Sequence, residues 1–206
     1  MRIVAGEFRG RSIEAPRGEN TRPTTDRVRE ALMSSLYSLR GGFEGAVVLD
    51  AFAGTGALGL EALSRGARSA TFYENDAQAQ RMLTRNVEAC CKGKKGATIV
   101  RKDFLHVPPT RVEEPFDLVF LDPPYSYDAL EVLEVIAGMV DAGTVDRDAI
   151  VVYEHAQRDA RAVAEALENK GMELVSQKKY GKTSISVAHA TLSGDNGARQ
   201  DSDQEA

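Results

Sequence analysis

Short apolar segments alternate with longer amphipathic segments along most of this chain, and that alternation constrains its fold more than any other feature. Each apolar segment is typical of a buried strand, and the stretches between most of them have helical periodicity. Such alternation predicts a mostly parallel sheet with helices on both faces. The predicted strands lie at 46–50, 69–74, 97–101, 116–122 and 149–154, and the predicted helices lie at 57–65, 77–90, 129–140 and 159–170.

The last two predicted strands, 172–178 and 183–190, are separated only by a short segment around Tyr180-Gly181. A parallel pair needs a crossover of a dozen or more residues, so these two strands must pair antiparallel. The predicted architecture is therefore an α/β fold with a doubly wound, mostly parallel sheet that ends in an antiparallel hairpin.

The first 40 residues are predicted to form a small extension to this sheet. Residues 2–15 are typical of two short strands around a glycine turn, and a helix follows with Thr24 or Thr25 as its N-cap. The apolar stripe of this helix consists of Val28, Leu32, Leu36 and Leu39. Because the last residues are polar and acidic, they are expected to be disordered. The predicted segments are thus an extension at 1–40, a main domain at 41–191 and a tail at 192–206.

Charge is distributed unevenly along the chain, although its formal net value is −5. Residues 1–29 carry seven arginines against four acidic side chains. An arginine-rich end can bind phosphate groups locally even when the whole chain is acidic. No apolar run approaches the length of a membrane helix and no signal peptide is evident, so a cytoplasmic location is expected.

Three glycines, Gly54, Gly56 and Gly59, follow the first strand of the main domain with the spacing G-x-G-x-x-G. Glycines at such a turn let the backbone approach a ligand closely, and the helix N-terminus offers free N–H donors. The motif alone fits a dinucleotide pyrophosphate equally well, or a turn with a purely structural role.

Acidic residues near this turn narrow the choice of ligand. Asp50 precedes the glycines, where a carboxylate repels a pyrophosphate but holds an ammonium group. Glu74 ends the second strand, where an acid typically bonds ribose hydroxyls. Asp103 and Phe104 follow the third strand and are candidates for the adenine amino group and ring. A ligand with a ribose and a cation but without phosphate is S-adenosylmethionine, which is the expected cofactor.

The fourth strand ends in Asp122-Pro123-Pro124-Tyr125, the most specific string in the chain. Consecutive prolines cannot continue a sheet, so they fix a rigid turn at the carboxyl edge, where ligands bind. The Asp122 carboxylate and a proline carbonyl can both accept hydrogen bonds from one amino group. Such a pair would aim the nitrogen of a nucleobase at a methyl donor, with Tyr125 stacked on the base. The string therefore predicts methylation of an exocyclic amino nitrogen.

These residues resemble a known family. Residues 50–56, Glu74 and 122–125 together resemble the Rossmann-like class I amino-methyltransferases. Residues 22–30, with 2–6, 10–11, 56–66 and 180–183, closely resemble the bacterial RsmD-type 16S rRNA guanine-N2 methyltransferases. The resemblance extends from residue 1 to about residue 190. It implies transfer to N2 of one guanine in 16S rRNA, within a small-subunit assembly particle.

The resemblance also implies roles for individual residues. A monomer is expected, because no long exposed apolar stripe is left over, and neither a metal nor a membrane is required. Arg27 would hold the cofactor carboxylate, although an ordinary surface salt bridge explains it equally well. The implied cofactor residues are Asp50, Phe52, Gly54, Gly56, Glu74, Asn75, Asp103, Phe104 and Arg27. The implied RNA contacts are Arg2, Arg9, Arg11, Arg22 and Thr24.

Four other functions are compatible with parts of the sequence. A DNA adenine-N6 or cytosine-N4 methyltransferase would use the same turn but usually carries a large target-recognition domain, for which no segment is long enough. A protein glutamine methyltransferase usually has Asn in place of Asp122. A nicotinamide-dependent oxidoreductase explains the glycines and Glu74 but leaves Asp50 and 122–125 unexplained. A cofactor-free RNA-binding module would not need the cofactor positions, all of which are present.

Overall fold

The computed structural model describes residues 1–15, 26–93 and 96–191. The strands are β1 Val47–Asp50, β2 Ser69–Tyr73, β3 Ala97–Val100, β4 Phe116–Leu121, β5 Val145–Ala156, β6 Glu173–Tyr180 and β7 Thr183–His189. The helices are α1 Asp26–Arg40, α2 Ala57–Ser64, α3 Ala77–Cys91, α4 Ala129–Asp141 and α5 Ala160–Asn169, the last preceded by a 3-10 turn at Gln157–Asp159. Over these ranges, none of the helices combines the length and the apolarity that crossing a membrane requires.

The seven strands form one sheet in the order β3-β2-β1-β4-β5-β7-β6. The first five strands run parallel, and β7 pairs antiparallel with both β5 and β6. The predicted doubly wound sheet with a terminal antiparallel hairpin is thereby confirmed. Most of β7 is buried, whereas β6 is largely exposed and carries Lys178 and Lys179. Lysines on an edge strand discourage pairing with other chains, which suits β6 to the outer position.

The sheet divides the apolar core into two layers. One layer contains Val48 and Phe120 and is covered by α1, α2 and α3. The other contains Leu49 and Val119 and is covered by α4 and α5. Because side chains alternate along a strand, the residues two positions beyond Val48 and Phe120 face the first layer. The site carboxylates Asp50 and Asp122 occupy these positions.

The N-terminal residues differ from the prediction of two strands. They form a single antiparallel bridge, between Arg2 and Ser12, with a bend at residues 5–6 and a turn at residues 7–10. Gly6 and Gly10 adopt positive φ angles of 83° and 81°, which curl the chain before a ladder can extend. The apolar side chains of this segment nevertheless enter the first core layer; they are Ile3, Phe8 and Ile13.

Most predicted elements differ from the observed ones by one or two residues at an end, and two differ further, in the side chains that they bury or in where they begin. Leu39 is 37% exposed and does not belong to the buried stripe of α1, because the helix turns Met33 toward the core instead. The strand predicted at 149–154 begins four residues earlier, at Val145, where the chain already runs beside β4. The predicted N-cap at Thr24 or Thr25 and the predicted disordered tail at 192–206 lie outside the described residues.

A buried glutamate fastens the N-terminal segment to the main domain. Glu61 of α2 has no exposed surface, and its two carboxylate oxygens accept hydrogen bonds from the Val4 and Ala5 N–H groups at 3.0 Å. Its charge is balanced by Arg65 at 2.9 Å and by the fully buried Arg29 at 3.5 Å. One α2 side chain therefore holds both the N-terminal segment and α1 against the sheet.

Candidate functional site

A cavity of about 660 Å³ opens at the carboxyl ends of β1, β2, β4 and β5. Its volume lies within the range typical of small-molecule sites. The cavity brings together all four predicted catalytic residues and seven of the nine predicted cofactor residues. Those lining it are Asp50, Phe52, Gly54, Glu74, Asn75, Asp103, Phe104, Asp122, Pro123, Pro124 and Tyr125.

The glycine turn serves both the cavity and the packing of α2. Gly54 lines the cavity with a φ of 54°, and its N–H faces Glu74. A Cβ on Gly59 would lie 2.3 Å from the Phe72 ring, and one on Gly56 would lie 2.5 Å from Leu83. Gly56 therefore allows the start of α2 to pack closely against Leu83. It is not among the described residues that line the cavity.

Glu74 is held firmly at the edge of the cavity. One carboxylate oxygen accepts a hydrogen bond from the Gly54 N–H at 2.7 Å, and the other accepts from the Asp76 N–H at 2.8 Å. Each oxygen keeps a second acceptor site. The carboxylate is thus oriented by the backbone on both sides and can accept two further donors from a ligand.

Asp50 lies at the bottom of the same cavity and is only 3% exposed. One of its oxygens accepts a hydrogen bond from the Gly59 N–H at 3.0 Å. Burial raises the pKa of Asp50 to about 7, with the charge of Glu74 adding to the increase and the Gly59 hydrogen bond opposing it. A cation beside this carboxylate would favour its charged form and reverse the shift.

Asp103 occupies the far side of the cavity, beyond β3. Its carboxylate accepts a hydrogen bond from the Leu105 N–H at 2.9 Å, and Asn75 approaches it at 3.4 Å. The His106 ring lies 3.2 Å away. Desolvation alone would raise the pKa of Asp103, but these donors and the charge of His106 lower it below its ordinary value. Asp103 therefore remains an anionic acceptor.

Aromatic rings form one wall of the cavity. Phe104 is 2% exposed and packs edge-to-face on Phe52 and Tyr73, with ring centroids 5.7 and 5.5 Å apart. Phe52 in turn lies 6.0 Å from the ring of Tyr127. The wall connects the glycine turn to the loop after β4 and offers flat apolar surface to a ring-shaped ligand.

The loop after β4 positions the predicted catalytic string. The Tyr127 N–H donates to the Pro124 carbonyl at 2.9 Å, which closes a turn, and Asp128 caps α4 through the Leu130 N–H. Tyr125 is 40% exposed, and its hydroxyl lies 3.1 Å from the Thr183 hydroxyl on β7. The tyrosine ring is therefore anchored at its hydroxyl end while part of its surface stays accessible.

Glu154 also lines the cavity and was not among the predicted site residues. It is 7% exposed, and the pairing of Leu121 with Tyr153 places it beside Asp122 on the neighbouring strand. Burial, followed by the negative charges of Glu154 and Asp50, raises the pKa of Asp122 well above its ordinary value. The sequence signal that could have identified Glu154 is its position as an acid within the apolar run of β5.

In the described ranges, no group of three or more His, Cys, Asp or Glu side chains is arranged to hold a metal ion.

The predicted arginine contacts are not all alike. Arg2 and Arg9 are exposed, whereas Arg11 donates to the Cys90 carbonyl and lies 4.8 Å over the Phe8 ring. Arg27 is exposed and, within the described part of α1, does not reach the cavity. The arginine that does line the cavity is Arg29, which is buried. Its position as a charged residue on the apolar side of α1 was the sequence signal that could have identified it. The predicted contacts Arg22 and Thr24 lie outside the described residues.

Known proteins resemble this chain over nearly its whole length. The model of the family described as Conserved hypothetical protein 95 matches residues 1–189. The Bacillus subtilis protein YlbH is 34% identical over 191 residues, which cover 91% of this chain and 97% of that protein. Ribosomal RNA small subunit methyltransferase D of Escherichia coli is 38% identical over 154 residues, covering 75% of this chain and 74% of the relative.

Solved structures agree with this relationship. The structure of the Escherichia coli protein yhhF superposes with a TM-score of 0.72 at 29% identity, covering 93% of this chain and 98% of that one. Magnesium protoporphyrin IX methyltransferase from Synechocystis, solved with bound S-adenosylmethionine, superposes with a TM-score of 0.63 over 80% of this chain and 79% of its own. Its 15% identity shows a shared fold alone. The chain belongs to the family described as Conserved hypothetical protein 95, the RsmD family of ribosomal RNA methyltransferases.

Proposed function

We propose that this protein transfers a methyl group from S-adenosylmethionine to the exocyclic N2 of one guanine in 16S rRNA. The observation that carries the proposal is the position of Asp122-Pro123 in the same cavity as Glu74 and Asp50. The name of the Escherichia coli relative supports a substrate in the small ribosomal subunit. A substrate of that kind also favours an assembly particle as partner and the cytoplasm as location.

The residues of the cavity fit S-adenosylmethionine. Glu74, with two acceptor sites left, suits a pair of ribose hydroxyls, and Asp50 suits the ammonium group. Asp103 and Asn75 suit the adenine amino group beside the wall formed by Phe52 and Phe104. When bound, the cofactor supplies a methyl group on a sulfonium, which is a strong electrophile.

Asp122 and Pro123 orient the nitrogen to be methylated. The lone pair of a guanine amino group is delocalised into the ring, so the nitrogen is a poor nucleophile. One N–H donates to the Asp122 carboxylate and the other to the Pro123 carbonyl, while the Pro124 carbonyl accepts from the Tyr127 N–H. Holding both hydrogens turns the lone pair toward the methyl group. As the nitrogen takes the methyl group that the bound cofactor would supply, the Asp122 carboxylate would receive the amino proton that is released.

The surface around the cavity would receive the RNA. Tyr125, anchored by Thr183, would stack on the target base after it leaves its helix or loop. The exposed Arg2 and Arg9 would contact phosphates, together with Arg11, Arg22 and Thr24. The protein would act as a monomer.

Removal of the exposed N-terminal arginines is expected to weaken RNA binding in a salt-dependent way. The slope of log Kobs against log[salt] is negative for RNA binding. In the double variant Arg2→Ala with Arg9→Ala, its magnitude should be smaller by about 0.7–0.9 for each phosphate that is no longer neutralised. Binding titrations with small-subunit particles at several salt concentrations measure the slope. Arg161→Ala, which removes an exposed arginine of α5, is the control. Equal slopes for all three proteins would exclude the N-terminal residues from the RNA interface.

Binding of S-adenosylmethionine is expected to weaken as the pH falls below 7. Asp50, with its pKa near 7, becomes neutral there and no longer attracts the ammonium group. The affinity should fall about eightfold from pH 7.5 to pH 6, as the ionised fraction of such a group does. Calorimetry at the two values tests this expectation. Asp50→Asn should remove the pH dependence, and Asp103→Asn should keep it, because the pKa of Asp103 is already lowered. A constant affinity in the unsubstituted protein would contradict this role of Asp50.

The class of substrate is tested by offering methyl-labelled S-adenosylmethionine with four acceptors. These are small-subunit particles, naked 16S rRNA, duplex DNA and a ribosomal protein mixture. We expect label in the rRNA of the first or second sample alone. Label in DNA or protein would replace the proposal with one of the other methyltransferase functions. Binding of NADH in preference to S-adenosylmethionine would support an oxidoreductase instead.

A further inference from the structure

We propose that Glu154 recognises the N1–H of the target guanine and thereby restricts transfer to bases with a hydrogen-bond donor beside their amino group. The inference rests on the function proposed above and adds a residue that determines which base is accepted. Its basis is the geometry of two neighbouring strands.

Asp122 and Glu154 lie side by side at the carboxyl ends of β4 and β5. The parallel register pairs Phe120 with Val152 and Leu121 with Tyr153, so the next pair along is Asp122 with Glu154. Phe120 and Val152 both face the first core layer, and alternation returns the two acids to that same side. Neighbouring strands are about 4.8 Å apart, so both carboxylates can reach adjacent donors of one base.

Glu154 is placed for contact with a ligand in the cavity. Its exposure is only 7%, and it borders both the main cavity and a second one of about 470 Å³ on the other side of the 123–127 loop. On β7 its register partner is Ile185.

The chemistry of the bases distinguishes guanine from its competitors at this position. In guanine the amino group at N2 adjoins N1–H, which is a donor, so three N–H bonds point from one edge. In adenine and cytosine the ring nitrogen next to the amino group is an acceptor. A carboxylate is an acceptor only, so Glu154 pairs with the guanine N1–H and repels the lone pair of the other two bases. Sites that hydrogen-bond one substrate reject an analogue lacking that group strongly, because buried polar groups are left unpaired.

Base analogues at the modified position test this role directly. Once the methylated guanine is mapped, ligated 16S rRNA can carry 2-aminopurine or 2,6-diaminopurine there. Both keep the 2-amino group but present an acceptor at N1. We expect the unsubstituted enzyme to prefer guanine by at least about 100-fold in kcat/KM. In Glu154→Gln the amide can donate to N1, so the preference for guanine over the analogues should fall at least tenfold.

Two controls separate recognition from folding. Glu165→Gln changes an exposed acid that borders the second cavity and should leave the preference unchanged. Calorimetry with S-adenosylmethionine checks that Glu154→Gln is folded. Should that variant fail to fold, the unsubstituted enzyme still decides the matter, because equal kcat/KM for guanine and the analogues would overturn the inference.

The remaining outcomes are distinct. N2-methylguanosine formed by the unsubstituted enzyme, with the same base preference in folded Glu154→Gln, would overturn the role of Glu154 and leave the proposed function intact. Absence of N2-methylguanosine from the unsubstituted reaction would overturn both. A preference for guanine that falls in Glu154→Gln but not in Glu165→Gln would support the inference.

Discussion

Asp122→Ala is expected to lower kcat for methyl transfer about 1000-fold, while the Kd for S-adenosylmethionine changes by only about threefold. In the proposed mechanism the carboxylate aims the nitrogen and receives its proton, and other residues of the cavity hold most of the cofactor. Single-turnover transfer measures the first quantity and calorimetry measures the second. A parallel loss of cofactor binding and activity would contradict this role for Asp122.

Asp122→Asn is the matched variant, because an amide keeps one acceptor oxygen but cannot take the proton. Its kcat should lie between those of the unsubstituted enzyme and the alanine variant. The raised pKa of Asp122 means that its carboxyl group remains protonated to a higher pH than usual. The rate of the unsubstituted enzyme should therefore rise with pH as this group ionises, and Asp122→Asn should lack that rise.

Glu61→Ala is expected to reduce the free energy of unfolding by about 3–5 kcal/mol. The substitution takes from the fully buried Arg29 one of its acidic partners, leaving Asp26, and removes the acceptor of two backbone N–H groups, those of Val4 and Ala5. Breaking a buried ion pair costs this much because the remaining charge stays out of water. Urea denaturation, with the slope m compared as well, measures the change.

Glu165→Ala provides the matched control for this measurement. Glu165 also pairs with an arginine four residues away on its helix, but both side chains are exposed, at 56% for Glu165 and 92% for Arg161. Such pairs contribute less than about 1 kcal/mol. Similar losses of stability in the two variants would show that Glu61 does not hold the N-terminal segment in the way described.

The period of the apolar pattern was enough to predict the main domain. Strands buried on both sides give apolar runs, and the short link before β7 left only antiparallel pairing for the last two strands. The same reasoning failed for residues 2–15. Their apolar side chains do enter the core, but the N–H groups of Val4, Ala5 and Phe8 donate to side chains of α2 and not to a second strand. Alternation within one segment cannot reveal a partner about sixty residues away.

Site residues were predicted where an acid or a short motif follows the end of a strand, and two were missed inside elements, Arg29 in α1 and Glu154 in β5. Residues 122–125 and Glu74 lie at the cavity as expected. Arg27 was predicted to bind the cofactor, but the arginine at the cavity is Arg29. Residues two positions apart on a helix point to nearly opposite faces, so the two side chains cannot both face the cavity. Glu154 was overlooked because an apolar run is interpreted as core, and only the register with β4 brings it next to Asp122.

The central claim is that Asp122 and Pro123 hold the amino nitrogen of a guanine toward the methyl group of S-adenosylmethionine. The most direct measurement is digestion of the labelled 16S rRNA to nucleosides, after reaction of small-subunit particles with the unsubstituted enzyme and with Asp122→Ala. The account predicts all of the label in N2-methylguanosine and almost none with the variant. Label in a ring-nitrogen or ribose methylation product, or equal labelling by both proteins, would contradict it.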